Sequence, residues 1–250
     1  MKFNNIPAST VGVTALPQAG CFFSDVEEQV VRMPGMDGQV FAGATQAARR
    51  FPVQLIVQGM SREDLHTRLD AVTGWLAGGP ARLQFDELPD RWWTARLSSP
   101  LTWVNHGRSF RVACDVVFTA DDPHPRATVD DVASFTATTV TVPRTQGNLA
   151  SYPVVTVAGV FTAAQTLTLD MFGQPVVFTG PLTVSERLVL DYDAWTLTVC
   201  DQAGSVLRSA VPQLDTVARV SCPVGGGTVS HTRSGGTVTR IDVACRSRWW

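Results

Sequence analysis

Between residues 61 and 97 the chain carries its one strong helix signal, followed at once by its densest aromatic strand, and this pairing limits the folds open to it. Ser61 has the chemistry of an N-cap. Asp64, three residues on, has capping-box spacing and puts negative charge in the positive first turn. Leu65, Leu69, Val72 and Leu76 then recur at i, i+4, i+7 and i+11, an apolar stripe along one side of a helix. Gly78-Gly79-Pro80 ends it, because glycine tolerates left-handed geometry and proline cannot continue a helix. Burying each stripe residue contributes roughly 1.5–3 kcal/mol. Residues 82–85 and 92–97, short strands joined through Asp86-Glu87-Leu88-Pro89-Asp90, supply a sheet for the stripe to lie on. Adjacent Trp92 and Trp93 must point to opposite faces of their strand, so only one easily enters this domain's core and the other is left for a partner surface, another layer or solvent.

Outside that helix the pattern is β. Phe51, Val53, Leu55 and Val57 alternate with more polar positions, and Pro52 predicts that this strand begins at a sheet edge. Residues 30–33 and 39–41 flank Pro34-Gly35-Met36-Asp37-Gly38, whose turn signals predict a projecting hairpin. A second hairpin is expected at Asn105-His106-Gly107-Arg108, before the long alternation from Phe110 to Phe118. Asp121-Asp122-Pro123-His124-Pro125 cannot continue a strand, since its prolines lack N–H donors and restrict the residues before them. The chain therefore reads as two domains, an α+β first domain over 1–125 and an all-β second over 126–250. In the second, strands are expected over 136–142, 154–157, 167–169, 176–178, 187–190, 196–200 and 241–245, with a tight turn at Met171-Phe172-Gly173-Gln174-Pro175. Gly225-Gly226-Gly227 and Gly235-Gly236 bracket what reads as a polar, flexible segment. The final strand either finishes the second sandwich or returns to the first domain.

The chemistry expected of this chain is sparse. A 44% hydrophobic and 17% charged composition excludes a disordered chain, and a net charge of −2 lacks the basic excess of a general nucleic-acid binder. The first residues contain no continuous apolar signal core, and no apolar run nears the roughly 18 residues of a membrane span. A soluble protein without membrane insertion, made in a cytoplasm, is expected. Cys21, Cys114, Cys200, Cys222 and Cys245 form no CxxC pair and have no histidine at metal-ligand spacing, which predicts buried free thiols. His66, His106, His124 and His231 fall on a helix face or in loops, with no G-x-S-x-G, HExxH, Walker A or Rossmann pattern beside them. Asp121-Asp122 and Asp191-x-Asp193 read as turn caps. No catalytic residue, cofactor or metal is expected. The alternative is a carbohydrate-binding module that stacks sugar rings on exposed Tyr192 and Trp195.

The order of elements carries a family resemblance. A strand, the P-G-M-D-G turn, a second strand, R-F-P-V-Q-L-I-V, a capped helix ending in W-L, R-L-Q-F-D-E-L-P-D-R-W-W-T-A-R-L and F-R-V-A-C-D-V-V-F-T-A-D-D-P-H-P follow one another over residues 25–125. This series resembles the distal tail proteins of long, flexible-tailed (siphovirus-type) bacteriophages. By strand pattern alone, the second half looks like that family's galectin-like β-sandwich. The resemblance implies a mainly β protein: an N-terminal β-sandwich with one α-helix and a projecting hairpin, then the C-terminal sandwich. It also implies a non-enzymatic virion protein of the tail tip, assembled in the host cytoplasm, whose first domains form a homohexameric ring at the end of the tail tube. Its implied partners are the tail tube protein, a tail tip or tail-associated protein, and receptor-binding or baseplate proteins, with phage DNA passing through the lumen without specific binding. Subunit-interface candidates are Pro34, Gly35, Met36, Asp37, Gly38, Trp92 and Trp93. Met36 stands where a basic residue is expected in similar proteins. The second domain has no long insertion to house a sugar-binding module, so an adaptor role is expected of it.

Overall fold

A computed structural model describes residues 1–18, 26–105, 110–215 and 217–250. The protein is mainly β and divides into two compact units, Met1–Pro125 and Arg126–Trp250.

The first unit is built around the helix Arg62–Leu76, which Ser61 enters in an extended conformation. Its buried residues are Leu65, Val72, Trp75 and Leu76, whereas Leu69 is only half-buried. The expected stripe is therefore rotated. Trp75 accounts for the shift: its indole N–H donates to the Phe3 carbonyl at 3.1 Å and its ring meets that of Phe3 edge-on at 6.1 Å, which draws this side of the helix inward.

Beneath the helix runs one antiparallel sheet, in the order Ile6–Pro7, Lys2–Phe3, Ala81–Gln84, Arg91–Leu97, Arg111–Ala120, Arg49–Gln58 and Val13–Pro17. Neighbouring strands lie about 4.8 Å apart, so the three steps from the strand of Phe3 to that of Phe118 would span roughly 14 Å if the sheet were flat. Their ring centroids are 5.1 Å apart. Phe51 and Phe85, the latter just past the strand Ala81–Gln84 three strands away, approach to 5.4 Å. The sheet thus folds over on itself, and Phe51, Val53, Leu55, Val57, Leu83 and Phe118 share one core.

Arg49–Gln58 is interior to the sheet from Val53 onward, but among the described residues its start, 49–52, has a ladder partner on one side only, so the strand begins at an edge as Pro52 predicts. Pro52 is accommodated because the Val13–Pro17 ladder ends at Pro17 opposite Val53, just short of the missing N–H, while the Pro52 carbonyl still accepts the N–H of Gln18 at 3.0 Å. The hairpin expected at 105–108 lies, beyond Asn105, outside the described residues. Val104–Asn105 pairs with Val112 and Ala113.

The second unit is a β-sandwich. One sheet runs in the order Asp131–Phe135, Thr237–Cys245, Pro153–Val160, Glu186–Asp191, Thr196–Asp201 and Val206–Ser209. The other runs Thr139–Pro143, Gly226–Arg233, Thr166–Met171 and Gln174–Thr179. Val155, Val157, Leu188, Leu190 and Val243 from the first sheet meet Val142, Leu167, Leu169, Phe178 and Val229 from the second. The closing strand Thr237–Cys245 lies between Asp131–Phe135 and Pro153–Val160, inside this unit. Phe172 (φ 57°) and Gly173 (φ 79°) form the two-residue loop between Thr166–Met171 and Gln174–Thr179, with the positive dihedrals of a type I′ turn.

Two expectations are revised here. The strand expected over 136–142 begins at Thr139, and a separate strand in the other sheet, Asp131–Phe135, precedes it where none was expected, because the chain crosses the sandwich after Phe135. The supposed flexible segment is the strand Gly226–Arg233, interior to its sheet, with Val229 and His231 buried. His231 is therefore not a loop residue. Glycine is needed for close approach: a Cβ at Gly226 would run into the Val142 carbonyl oxygen, and one at Gly227 would lie 2.8 Å from the Phe172 ring. Cys114, Cys200, Cys222 and Cys245 are buried free thiols, and Cys21 lies outside the described residues.

Candidate assembly surfaces

The hairpin is the least covered part of the first unit. Val26–Val31 pairs with Val40–Gln46, and among the described residues this pair joins no other strand. All of residues 26–38 are exposed. The Met36 N–H reaches the Met33 carbonyl at 3.2 Å, and Gly35 (φ 84°) and Gly38 (φ 92°) take the left-handed conformations that close the tip. A register shift between Gln29 and Val30 sets Val30 opposite Phe41 and Val31 opposite Val40. Successive side chains point to opposite faces, so the distal half of the hairpin is apolar on both, with Phe41 63% exposed. The root carries Glu27 and Glu28 instead. A lone two-stranded hairpin is marginal in water, and apolar side chains on both its faces mark a surface made to be covered.

The tryptophan pair divides as the strand geometry requires. Trp93 is 1% exposed, packs on Phe51 at 5.0 Å and Phe85 at 6.0 Å, and donates its indole N–H to the Pro123 carbonyl at 3.2 Å. It is a core residue and presents no interface, which removes it from the candidates. Trp92, on the other face, is half-buried with the Arg82 guanidinium 5.0 Å above its ring. Both tryptophans belong to the curled sheet, whereas Pro34, Gly35, Met36, Asp37 and Gly38 form the tip of the separate hairpin.

Near the hairpin root lies an open cleft of about 820 Å³. Ala47, Ala48, Pro100 and Val117 contribute its apolar lining, and Glu27, Arg50, Arg96, Ser98, Ser99, Thr119 and Asp121 its polar lining. Arg96 pairs with Asp121 at 3.0 Å. Ser98 donates to the Val117 carbonyl and Ser99 accepts the Val117 N–H, which holds the 98–100 segment against the sheet. Sequence reasoning missed this cleft. Val117 and Thr119 are recognisable as the outward positions flanking buried Phe118, but nothing local brings them beside Arg50 and Arg96.

In the second unit, Tyr192 is buried and its hydroxyl pKa is pushed up to about 12 by that burial. Trp195 is 46% exposed, so the pair does not form the expected sugar-stacking platform. Arg219 holds their turn by donating to the carbonyls of Tyr192 (2.9 Å) and Asp193 (3.2 Å). The Asp191 carboxylate accepts the N–H groups of Asp193 and Ala194, Asp193 pairs with Arg126 at 2.8 Å, and Asp122 accepts the His124 N–H. These carboxylates cap turns and close ion pairs. His66 is exposed, His124 is half-buried, and burial lowers the pKa of His231. Among the described residues no group of three His, Cys, Asp or Glu is placed to hold a metal, and no helix is long and apolar enough to cross a membrane.

Residues 16–109 match the family model of the phage tail protein RIFT-related domain. No curated protein matches the chain by sequence. Among solved structures, that of SPP1 Dit (gp 19.1), a paradigm of the hub adsorption apparatus in phages infecting Gram-positive hosts, aligns over 99% of this chain and 98% of its own, with a TM-score of 0.74 and 14% identity. The phage P2 baseplate in its activated conformation, solved with Ca and with Sr, aligns over 94% of this chain and 90% of its own, with a TM-score of 0.57 and 9% identity. Residues 16–109 thus resemble a phage tail protein domain, and over nearly its whole length the chain has the fold of SPP1 Dit.

Proposed function

We propose that this protein is a non-enzymatic hub of a phage tail, a homohexameric ring at the distal end of the tail tube. The end-to-end likeness to SPP1 Dit, covering both units, is the observation that carries this reading. A cyclic ring needs two different, mutually complementary surfaces on every subunit. The exposed hairpin, apolar on both faces, supports the first unit as the source of one of them. The second unit buries its own core and needs no neighbour to fold, so its role is outward contact. Its partners there are a tail tip or tail-associated protein and the receptor-binding or baseplate proteins, while the ring docks on the tail tube protein. Phage DNA passes through the lumen without specific binding, in keeping with a chain of net charge −2. Electron microscopy with native mass spectrometry tests this: six copies around a central hole are expected, and a monomer retained on polysaccharide would favour a carbohydrate-binding module.

A further inference from the structure

We propose that the cleft near the hairpin root is the seat for the hairpin tip of a second copy of this chain. This rests on the hub reading and names the complementary surface that a ring requires. From Val26 to Val31 the paired strand rises five residues, roughly 17 Å at about 3.3 Å per residue, and the tip lies beyond it. Glu27, Ala47 and Ala48 of the hairpin's own root line the cleft. A tip that stands this far from its own root cannot enter its own cleft without abandoning the Val26–Val31 and Val40–Gln46 pairing. A tip from another copy can, and the resulting head-to-tail contact is of the kind that closes into a ring.

The chemistry of tip and cleft agrees. Met36, 56% exposed, ends in a flexible thioether suited to an irregular apolar surface, and Ala47, Ala48, Pro100 and Val117 supply apolar lining in the cleft. Beside it, Asp37 supplies a carboxylate for Arg50, which is exposed and makes no ion pair among the described residues. Arg32, on the other side of the tip, is opposite in charge to Glu27, a carboxylate that also lines the cleft. Both partners carry both signs of charge, which fixes orientation as well as attraction. Glycines at 35 and 38 keep the tip narrow.

Native mass spectrometry over a dilution series of the full chain is the test. Arg50→Glu and Asp37→Arg are each expected to raise the concentration at which the ring dissociates at least tenfold, and the two together to restore most of the loss. Both side chains are exposed, and matching thermal melts would show that the variants fold. Independently, Asp37→Cys combined with Thr119→Cys is expected to give an oxidised ladder of covalently linked subunits. Rings that dissociate like wild type in both single charge variants, or a Cys pair that yields no intersubunit link, would overturn the seat and leave the hub reading standing. A wild-type chain that forms no ring would overturn both.

Discussion

The hydroxyl of Ser61 accepts the backbone N–H of Asp64 at 3.1 Å, while the Asp64 carboxylate reaches past the cap to the N–H of Met60 at 2.8 Å. The two residues close the start of the helix between them. Ser61→Ala is expected to cost about 1 kcal/mol, read as a lower urea midpoint at unchanged slope. The Met60 N–H, and after it Arg68, hold the Asp64 carboxyl below its ordinary value of 3.8. A pKa depressed on folding contributes stability that is present above 3.8 and lost as pH falls through the folded-state value. Asp64→Asn should therefore flatten the acid limb of stability below about 3.8, as read by thermal melts across that range.

Leu76→Ala is expected to destabilise the first unit by about 2–5 kcal/mol, because Leu76 lies fully in the core. Leu69→Ala costs less, since that side chain is half in solvent. Val72→Asp, which places a carboxylate where nothing pairs with it, is expected to abolish folding, whereas Leu69→Asp leaves a folded but weakened protein. Denaturant titrations of the four variants rank them.

The contrast between Leu69 and Val72 marks how far local sequence could be read. Both fit a helical stripe, and only the docking of Trp75 on Phe3, residues 72 positions apart in sequence, decides which one turns inward. The cap, the stop at Gly78 and the alternation along residues 51–58 depend on near neighbours and are legible. The change of sheet between Phe135 and Thr139 is not, because the alternating Val and Thr that follow suit either sheet. The glycines at 225–227 look like a linker until the opposing Val142 carbonyl is known. The hairpin tip was readable from its turn residues, but the cleft is not, since it joins side chains of four separate strands.

Gly226→Ala is expected to prevent correct closure of the second sandwich. Gly225→Ala, one residue earlier with a similar φ of 85° but open space around it, should cost only the left-handed penalty of about 1–2 kcal/mol. Comparing soluble yield and melting of the two variants separates steric collision from backbone strain.

In an alkaline spectrophotometric titration, the folded protein should show a tyrosinate component with a midpoint near 12 that Tyr192→Phe removes. Because this pKa is raised on folding, the stability it confers is complete below the ordinary value of 10 and is lost as pH rises from 10 to about 12.

A chain ending at Pro125 is expected to assemble into the ring on its own, and one comprising Arg126–Trp250 to remain monomeric, as sedimentation velocity can establish. A folded but monomeric first fragment would assign ring closure to the second unit.

Phe3 pairs with Leu83 across the sheet and packs on Phe118, and Trp93 is anchored by the Pro123 carbonyl. Order of synthesis then matters: the first residues of this unit wait for nearly its last before the core can close. At about 5–20 residues per second, that leaves the nascent first unit incomplete for roughly 6–25 seconds. Its hairpin strands and apolar sheet edges are then open to other chains before there is a folded subunit for them to join.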